Sequence, residues 1–194
     1  LERADFSKDL YIFSELSKDT LDYSGPQVNQ GSKGVLLGLG EPKRKLPGEL
    51  QSACLPYWIT DARVYSPGCL VVEVPAYPEE RDIVQKVAEL PELADWPLIV
   101  AVDNAKKATR SEASFLWTCF TRFEPAADIY ANQTTTARHK LAYQPPIVID
   151  ARMKPWYPEE LFCDPETAQT VDRRWQEYFP CGNVEMGCSD WAHL

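Results

Sequence analysis

Five consecutive apolar residues, LIVAV (98–102), stand between Pro97 and the polar pair Asp103-Asn104. A short apolar run without polar alternation is typical of a strand that lies inside a parallel sheet and is covered on both faces. The run therefore predicts a central β-strand, with a turn at Asp103. This places Asp103 at the carboxyl end of a strand, where α/β sheets bind ligands. It is interpreted either as a functional acid or as a turn residue at a helix entry.

Segments with strand and helix patterns alternate on both sides of this run. Short runs rich in β-branched residues predict three further strands, namely LVVEV (70–74), DIYAN (128–132) and PIVID (146–150). The spacing of apolar residues and the capping signals predict helices over 79–90, after TRSE (109–112) and after Asp164-Pro165. This order predicts an α/β fold: a layered sandwich with a mixed, largely parallel sheet flanked by helices.

Two local details of this fold are also predicted. Thr109 is the expected N-cap of the helix after TRSE, with Glu112 reaching back to it. That helix presents an apolar stripe formed by Phe115, Leu116, Cys119, Phe120 and Phe123. The polar segment QTTTARHKLAYQPP (133–146) is predicted to be a long loop of the kind that carries function.

Composition excludes several functional classes. The 194 residues carry a formal net charge of −9, and such a field repels nucleic acid and anionic membranes. The chain contains no apolar run of the roughly 18 residues that a transmembrane helix needs. Its first residues, LERADFSKD, lack the apolar region of a signal peptide. A cytoplasmic protein is therefore expected.

The cysteines and histidines do not predict a metal site or a catalytic set. Six cysteines, too few for a disulfide scaffold, indicate reduced thiols. Cys181, Cys188 and His193 are spaced C-x6-C-x4-H, whereas zinc sites usually have C-x2–4-C spacing. Two histidines without spatial information define no Ser/His/Asp arrangement. No metal and no catalytic residue is therefore assigned.

An imperfect repeat links the two ends of the sequence. The stretch 5–50 resembles 124–161, with seven matched pairs in order: Asp9/Asp128, Leu21/Leu141, Tyr23/Tyr143, Pro26/Pro146, Pro47/Pro158, Glu49/Glu160 and Leu50/Leu161. A terminal strand, loop and strand cannot fold alone. Residues 1–50 are therefore predicted to be an arm that docks on the following sheet or completes a sheet in another polypeptide; alternatively, the chain is a fragment. The predicted divisions are 1–50, 51–161 and 162–194.

Several of these motifs together resemble the C-terminal domain of the UbiD family of prenylated-FMN-dependent (de)carboxylases. The resemblance rests on SPGCLVVEV (66–74), PLIVAVDNA (97–105), FLWTCFTRFEPAADIY (115–130) and IVIDARMK (147–154), and it includes a GSK segment (31–33) within 19–39. It covers about 54–161 well and 5–50 as a partial copy. A phenylphosphate-carboxylase-like, multi-subunit arrangement is a looser resemblance.

The resemblance implies reversible decarboxylation of an aromatic or unsaturated carboxylic acid. The complete enzyme would use prenylated FMN, but this chain has no recognisable flavin-binding region, so none is expected on it. The expected partner is a flavin-bearing UbiD-like domain or subunit, in a homo- or hetero-oligomer. The chain alone is expected to be inactive. A non-catalytic assembly subunit and a flavin-free module that binds an aromatic acid are the alternatives.

The family motifs and the predicted loop supply the remaining candidate residues. Arg122 with Glu124 is either a functional or a structural ion pair. Asp150 and Lys154 are predicted to lie on one strand face, as a structural or domain-docking pair. In the family the loop region approaches the flavin pocket, so His139, Lys140 and Tyr143 are candidates for a substrate lid. A solvent-exposed role is the alternative for His139.

Overall fold

The LIVAV run is the central strand of a five-stranded sheet. The computed structural model describes residues 1–16, 30–50, 55–159, 164–179 and 184. The helices are α1 (Phe6–Asp9), α2 (Ile83–Ala88), α3 (Ala105–Ala108), α4 (Glu112–Arg122), α5 (Pro125–Asp128) and α6 (Pro165–Tyr178), and a 3-10 turn spans Pro91–Leu93. The strands are β1 (Leu10–Leu16), β2 (Gly31–Leu36), β3 (Asp61–Ser66), β4 (Cys69–Glu73), β5 (Leu98–Val102), β6 (Ile129–Ala137) and β7 (Lys140–Asp150).

The chain divides into two units, Leu1–Tyr157 and Pro158–Leu194. The second unit contains α6, which starts with Asp164 as its N-cap, as predicted. Some sequence predictions fall outside the described residues, namely those on Leu21, Tyr23, Pro26, Glu160, Leu161, Cys54, Cys163, Cys181, Cys188 and His193. No helix in the described part of the chain is long and apolar enough to cross a membrane.

The main sheet has the order β3-β4-β5-β7-β6. Its three central strands are parallel, and an antiparallel strand is added at each side. Successive residues of β5 enter opposite apolar clusters: Ile99 and Ala101 pack with α2, and Val100 and Val102 pack with α3 and α4. Helices therefore cover both faces, which confirms the predicted α/β fold with a mixed sheet.

The predicted loop over 133–146 is wrong, because these residues form an antiparallel hairpin. β6 runs on through Thr134, Thr135 and Thr136, and β7 begins at Lys140. Threonine is β-branched and favours strands even where the sequence is polar. Only Arg138 and His139 form the turn, and both have positive φ (51° and 63°), as in the tight turns that match strand twist.

Two details of α4 also differ from the prediction. Ser111, and not Thr109, is the N-cap: its hydroxyl accepts a hydrogen bond from the backbone N–H of Ser114 at 3.1 Å. Thr109 instead ends α3 and donates its hydroxyl hydrogen to the carbonyl of Ala105 at 2.8 Å. The predicted apolar stripe is only partly buried, because α4 turns small or polar side chains inward: Ser114, Thr118 and Cys119. Phe115 is half-buried, whereas three other large apolar side chains are exposed: Leu116, Trp117 and Phe120, the last at 69%.

The described residues among the first fifty, 1–16 and 30–50, pack on the later part of the chain. α1 inserts the buried ring of Phe6 into a cluster with Tyr143 and Ile147, next to β7. β1 and β2 form a separate two-stranded sheet. Arg44 holds the segment after β2 against the N-terminal residues, since its Nη1 donates to the carbonyls of Leu1 and Ala4, both at 2.8 Å.

The turn at Arg138-His139 yields a stability prediction. Replacing the pair with Asn-Gly should raise the free energy of unfolding by about 1–2 kcal/mol, because these residues adopt positive φ at lower cost. Urea unfolding followed by circular dichroism measures the change. The matched control is Ala-Ala, which removes the same side chains and keeps the strain. Equal stability of the two variants would contradict the hairpin turn.

Two buried thiols yield a pH prediction. Burial raises the pKa of Cys69 and of Cys119 to about 12, from an ordinary value of 9.0. Between these values the unfolded chain releases thiol protons that the folded chain keeps, so stability falls as pH rises above about 9. The loss should be about 1 kcal/mol per thiol per pH unit. The Cys69→Ala/Cys119→Ala variant should lose less stability between pH 8.5 and 10.5; an unchanged slope would contradict the prediction.

Candidate functional site

The carboxyl ends of the parallel strands meet at one edge of the sheet. Asp103 follows β5, Asp150 ends β7, and Pro75 lies two residues after β4. Open α/β sheets bind ligands at this edge. Here the edge holds a network of charged side chains, which comprises Asp103, Arg122, Asp128, Asp150, Arg152 and Lys154. We call this set the carboxyl-edge network.

The guanidinium of Arg152 is fully buried, with a side-chain exposure of 0%. Its Nε and Nη2 donate to the two carboxylate oxygens of Asp150 at 2.9 and 2.8 Å. The three remaining N–H groups donate to backbone carbonyls at 2.8, 2.9 and 3.1 Å, those of Pro75, Glu80 and Arg81. All five guanidinium donors are therefore used, which is what allows this charge to be buried.

The surroundings of Arg152 reinforce this arrangement. The ring of Tyr77 lies 5.3 Å from the guanidinium carbon, in the range of a cation–π contact. The backbone N–H of Arg152 also donates to Asp150, at 3.1 Å. Through these contacts, Arg152 connects the segment after β4 to the end of β7.

Lys154 makes a second buried contact set. Its ammonium donates to the carbonyls of Arg122 and Asp150 at 2.5 and 2.6 Å, and it lies 3.1 Å from the carboxylate of Asp128. The predicted placement of Lys154 on a strand face with Asp150 is wrong, because β7 ends at Asp150 and the chain turns there. Burial lowers the pKa of Lys154 and raises that of Asp128, since removal from water disfavours both charges.

Asp103 and Arg122 form the more accessible part of the network. Arg122 Nη1 lies 3.3 Å from the Asp103 carboxylate, and the backbone N–H of Met153 donates to the same oxygen at 2.7 Å. Burial raises the pKa of Asp103 although Met153 and Arg122 act in the opposite direction. With 29% of its side chain exposed, Asp103 can still exchange a proton with solvent.

Glu124 lies beside the network as the N-cap residue of α5. Its backbone N–H donates to the carboxylate of Asp128 at 2.7 Å, so Asp128 closes the helix as well as pairing with Lys154. The structure gives Arg122 a carboxylate partner in Asp103. The pairing of Arg122 with Glu124 stays a prediction.

The three lid candidates occupy different environments. His139 lies in the exposed turn between β6 and β7. Lys140 donates to the carbonyls of Ser7 and Lys8 at the end of α1, and its ammonium lies 4.2 Å from the ring centre of Tyr11. Tyr143 is buried, and burial raises its pKa. His139 thus lies in a turn, Lys140 contacts α1, and Tyr143 belongs to the core.

The lid candidates are also remote from the network. Lys140 and Asp150 are the two ends of β7, which has eleven residues. A strand of this length spans roughly 30 Å. The structure therefore brings Asp103, Arg122, Asp150 and Lys154 together, with Glu124 beside them, and it leaves the hairpin residues at the far end of the strand.

Sequence reasoning missed three participants. Arg152 was visible only as part of the IDARMK motif, and its carbonyl partners lie more than seventy residues earlier in the chain. Asp128 appeared only as a repeat position. Tyr77 carried no signal in the sequence. The apolar patterns of strands and helices indicate which residues are buried. They do not indicate which polar side chains from different elements contact each other.

The two buried cations of the carboxyl-edge network are not placed to bind a flavin phosphate. Arg152 and Lys154 direct their N–H groups at protein oxygens, so neither has a donor left for a phosphate. Within the described ranges, no cluster of three or more His, Cys, Asp or Glu side chains could hold a metal ion. A cavity of about 670 Å³ lies away from the network, lined in part by Arg44, Lys45 and Pro145.

Comparison with known proteins finds relatives in Chlamydia. A Chlamydia pneumoniae protein, named as a subunit of 4-hydroxybenzoate decarboxylase, is 44% identical over 180 residues, which are 93% of this chain and 30% of that protein. An uncharacterized protein of Chlamydia trachomatis serovar D is 43% identical, with the same coverage. The chain thus spans about a third of the length of these curated relatives. No family model matches the chain.

A solved structure also shows a weak likeness. It is the vanillic acid decarboxylase of Sedimentibacter hydroxybenzoicus in its open form. The TM-score is 0.35 and the identity 11%, over 60% of this chain and 27% of that chain.

The carboxyl-edge network yields a double-mutant prediction. Asp150→Asn and Arg152→Met should each lower the free energy of unfolding by about 3–5 kcal/mol, because each leaves a buried group without its partner. The double variant should lose clearly less than the sum of the two, since the residues interact directly. Urea unfolding of the four proteins measures the coupling.

The matched control is the more exposed pair formed by Arg63 and Asp61, whose atoms lie 2.6 Å apart. Arg63→Met should cost less than about 1 kcal/mol, because water screens an exposed ion pair. Additive losses at Asp150 and Arg152, of the same size as in this control, would contradict a direct interaction of the buried pair.

Proposed function

We propose that the chain is the C-terminal α/β domain or small subunit of a cytoplasmic, UbiD-like, prenylated-FMN-dependent decarboxylase or carboxylase. Its substrate class is aromatic or unsaturated carboxylic acids. The chain packs on the flavin-bearing part of the enzyme and supports assembly of the oligomer. The observation that carries the proposal is the name of the Chlamydia pneumoniae relative, that of a decarboxylase subunit, at 44% identity over 93% of this chain.

The carboxyl-edge network supports a structural role for this chain. Its most buried members, Arg152 and Lys154, are satisfied by protein oxygens and have no N–H group left for a substrate. Prenylated FMN, when bound, supplies the electron-accepting chemistry that loss of CO₂ requires. We assign its binding and the acid–base chemistry to the flavin-bearing part, since Arg152 and Lys154 already direct their N–H groups at protein oxygens.

The surface of α4 supports a docking role. Leu116, Trp117 and Phe120 are exposed on this helix while its small side chains face the core. Apolar side chains grouped on one exposed face are typical of contact surfaces between proteins. We assign this α4 face to the contact with the flavin-bearing part.

The first test of this role is reconstitution. The chain is co-expressed with a flavin-bearing UbiD-like polypeptide in cells that make prenylated FMN, and CO₂ release from 4-hydroxybenzoate is measured with and without it. The proposal expects decarboxylation to depend on the chain. If activity persists without the chain but the oligomer dissociates, the chain is an assembly subunit. A purified chain with its own flavin absorbance would contradict the proposal.

The second test is a substitution on the α4 face. Phe120→Asp should weaken association with the flavin-bearing polypeptide by about tenfold or more, since loss of an apolar anchor costs about 2 kcal/mol. Tyr57→Asp, which changes another highly exposed ring, is the matched control and should bind normally. Both variants should unfold at the same urea concentration as the parent. Normal association of Phe120→Asp would exclude α4 from the contact.

A further inference from the structure

The β1–β2 hairpin and the β6–β7 hairpin have the same pairing register. The paired residues are Leu10–Leu36, Tyr11–Val35 and Ile12–Gly34 in the first, and Ile129–Ile149, Tyr130–Val148 and Ala131–Ile147 in the second. In this alignment β2 corresponds to β7: Gly34 takes the place of Ile147, Val35 of Val148 and Leu36 of Ile149. Among the described residues, the repeat therefore extends to the pairing of these strands.

The short helix before each hairpin repeats as well. In α1 the carboxylate of Asp9 accepts from the backbone N–H of Asp5 at 2.8 Å. In α5 the carboxylate of Asp128 accepts from the backbone N–H of Glu124 at 2.7 Å. Each helix therefore closes through an acidic side chain four residues after the capping position, and each leads directly into its strand.

The two copies pack on each other reciprocally. Phe6 of α1 shares a buried cluster with Ile147 of β7. At the equivalent positions, Pro125 of α5 approaches Gly34 of β2, where an added Cβ would lie 3.4 Å from the proline Cβ. Contacts exchanged in this way are those of a pseudo-twofold pair.

The repeat differs at the outer edge of each hairpin. β7 pairs in parallel with β5, with Leu98 opposite Ile147 and Ile99 opposite Val148. In the part of the chain that the structure describes, β2 pairs with β1 alone. The missing neighbour of β2 is thus the counterpart of β5.

The backbone of β2 is oriented for such a neighbour. The N–H of Leu37 donates to the carbonyl of Asp9 at 3.0 Å, so the alternating N–H groups of Gly34 and Leu36 point away from β1. The equivalent groups on β7 point toward β5, since the N–H of Ile147 donates to the carbonyl of Pro97 at 3.1 Å.

The side chains of β2 show the same difference. Val35 is 42% exposed, whereas Val148, the same residue type at the equivalent position, is 0% exposed. Leu36 and Leu37 are exposed next to it. A strand edge that shows consecutive apolar residues to solvent is a template for pairing with another strand.

We propose that the edge of β2 pairs in parallel with an apolar strand of the LIVAV type, contributed by a polypeptide segment outside residues 1–194. The β5–β7 register fixes the geometry: the residue equivalent to Leu98 lies opposite Gly34, and that equivalent to Ile99 lies opposite Val35. A second copy of this chain does not supply this strand, because its β5 already pairs with β4 and β7. The inference rests on the repeat and is independent of the decarboxylase role.

A strand peptide tests the inference. The probe is the synthetic peptide WPLIVAVDN, residues 96–104, with two lysines added at each end for solubility. Added to the full chain at about 1 mM, a concentration that detects even weak binding, it should slow hydrogen exchange of the Gly34 and Leu36 amides by at least about tenfold. A peptide of scrambled order should leave their exchange unchanged.

Two variants make the test specific to the β2 edge. Leu36→Pro removes an outward N–H and should abolish the protection of Gly34, whereas Leu36→Ala removes the side chain, keeps the N–H and should retain it. Far-ultraviolet circular dichroism checks that both variants fold. Equal exchange with the intended and scrambled peptides, or protection that Leu36→Pro keeps, would overturn the proposal. The proposal would also be overturned if the Gly34 and Leu36 amides exchanged slowly in the chain alone because two copies form a concentration-dependent dimer.

Discussion

The buried guanidinium of Arg152 is the constraint on which the carboxyl edge of the sheet depends. A charge with no exposed surface is tolerated only if a counter-charge and further hydrogen bonds replace its water. Asp150 supplies the counter-charge, and the carbonyls of residues 75, 80 and 81 supply the rest. The path of the chain after β4 is therefore set by the need to place three carbonyl groups around one side chain.

This constraint also explains how the two halves of the repeat differ. In the first copy, Leu37, Leu39 and Glu41 stand at the positions of Asp150, Arg152 and Lys154. The register, the closing aspartate and the reciprocal helix packing are retained. Among the described residues of the first copy, the leucines at 37 and 39 leave no counterpart of the Asp150–Arg152 pair. Hairpin geometry follows from backbone pairing and apolar contacts, so it survives without the ions. In the described part of the chain, β2 has an exposed apolar edge, whereas β7 lies inside the five-stranded sheet.

Sequence patterns predicted the central strand and the α/β class because continuous apolar runs report burial on both faces. They failed at 133–146, where the polarity of the threonines concealed their preference for strands, and at α4, where large apolar side chains face outward. The candidate site was found in part. Asp103 follows from the rule that ligand sites and turns lie at strand ends, and Asp150 from a family motif. The partners of Arg152 come from a remote segment, and no local pattern encodes such a contact.

Under the proposed function, the buried Asp150–Arg152 pair of the carboxyl-edge network holds the fold and takes no part in decarboxylation. The most direct test is the rate of CO₂ release by the reconstituted complex of the proposed function after this pair is replaced by apolar residues, Asp150→Leu with Arg152→Met. We expect the folded, assembled variant to keep its rate within about threefold, because no reacting group has been removed. A loss of about 10²–10⁴-fold in an intact complex, the size expected for removal of a general acid or base, would contradict the account.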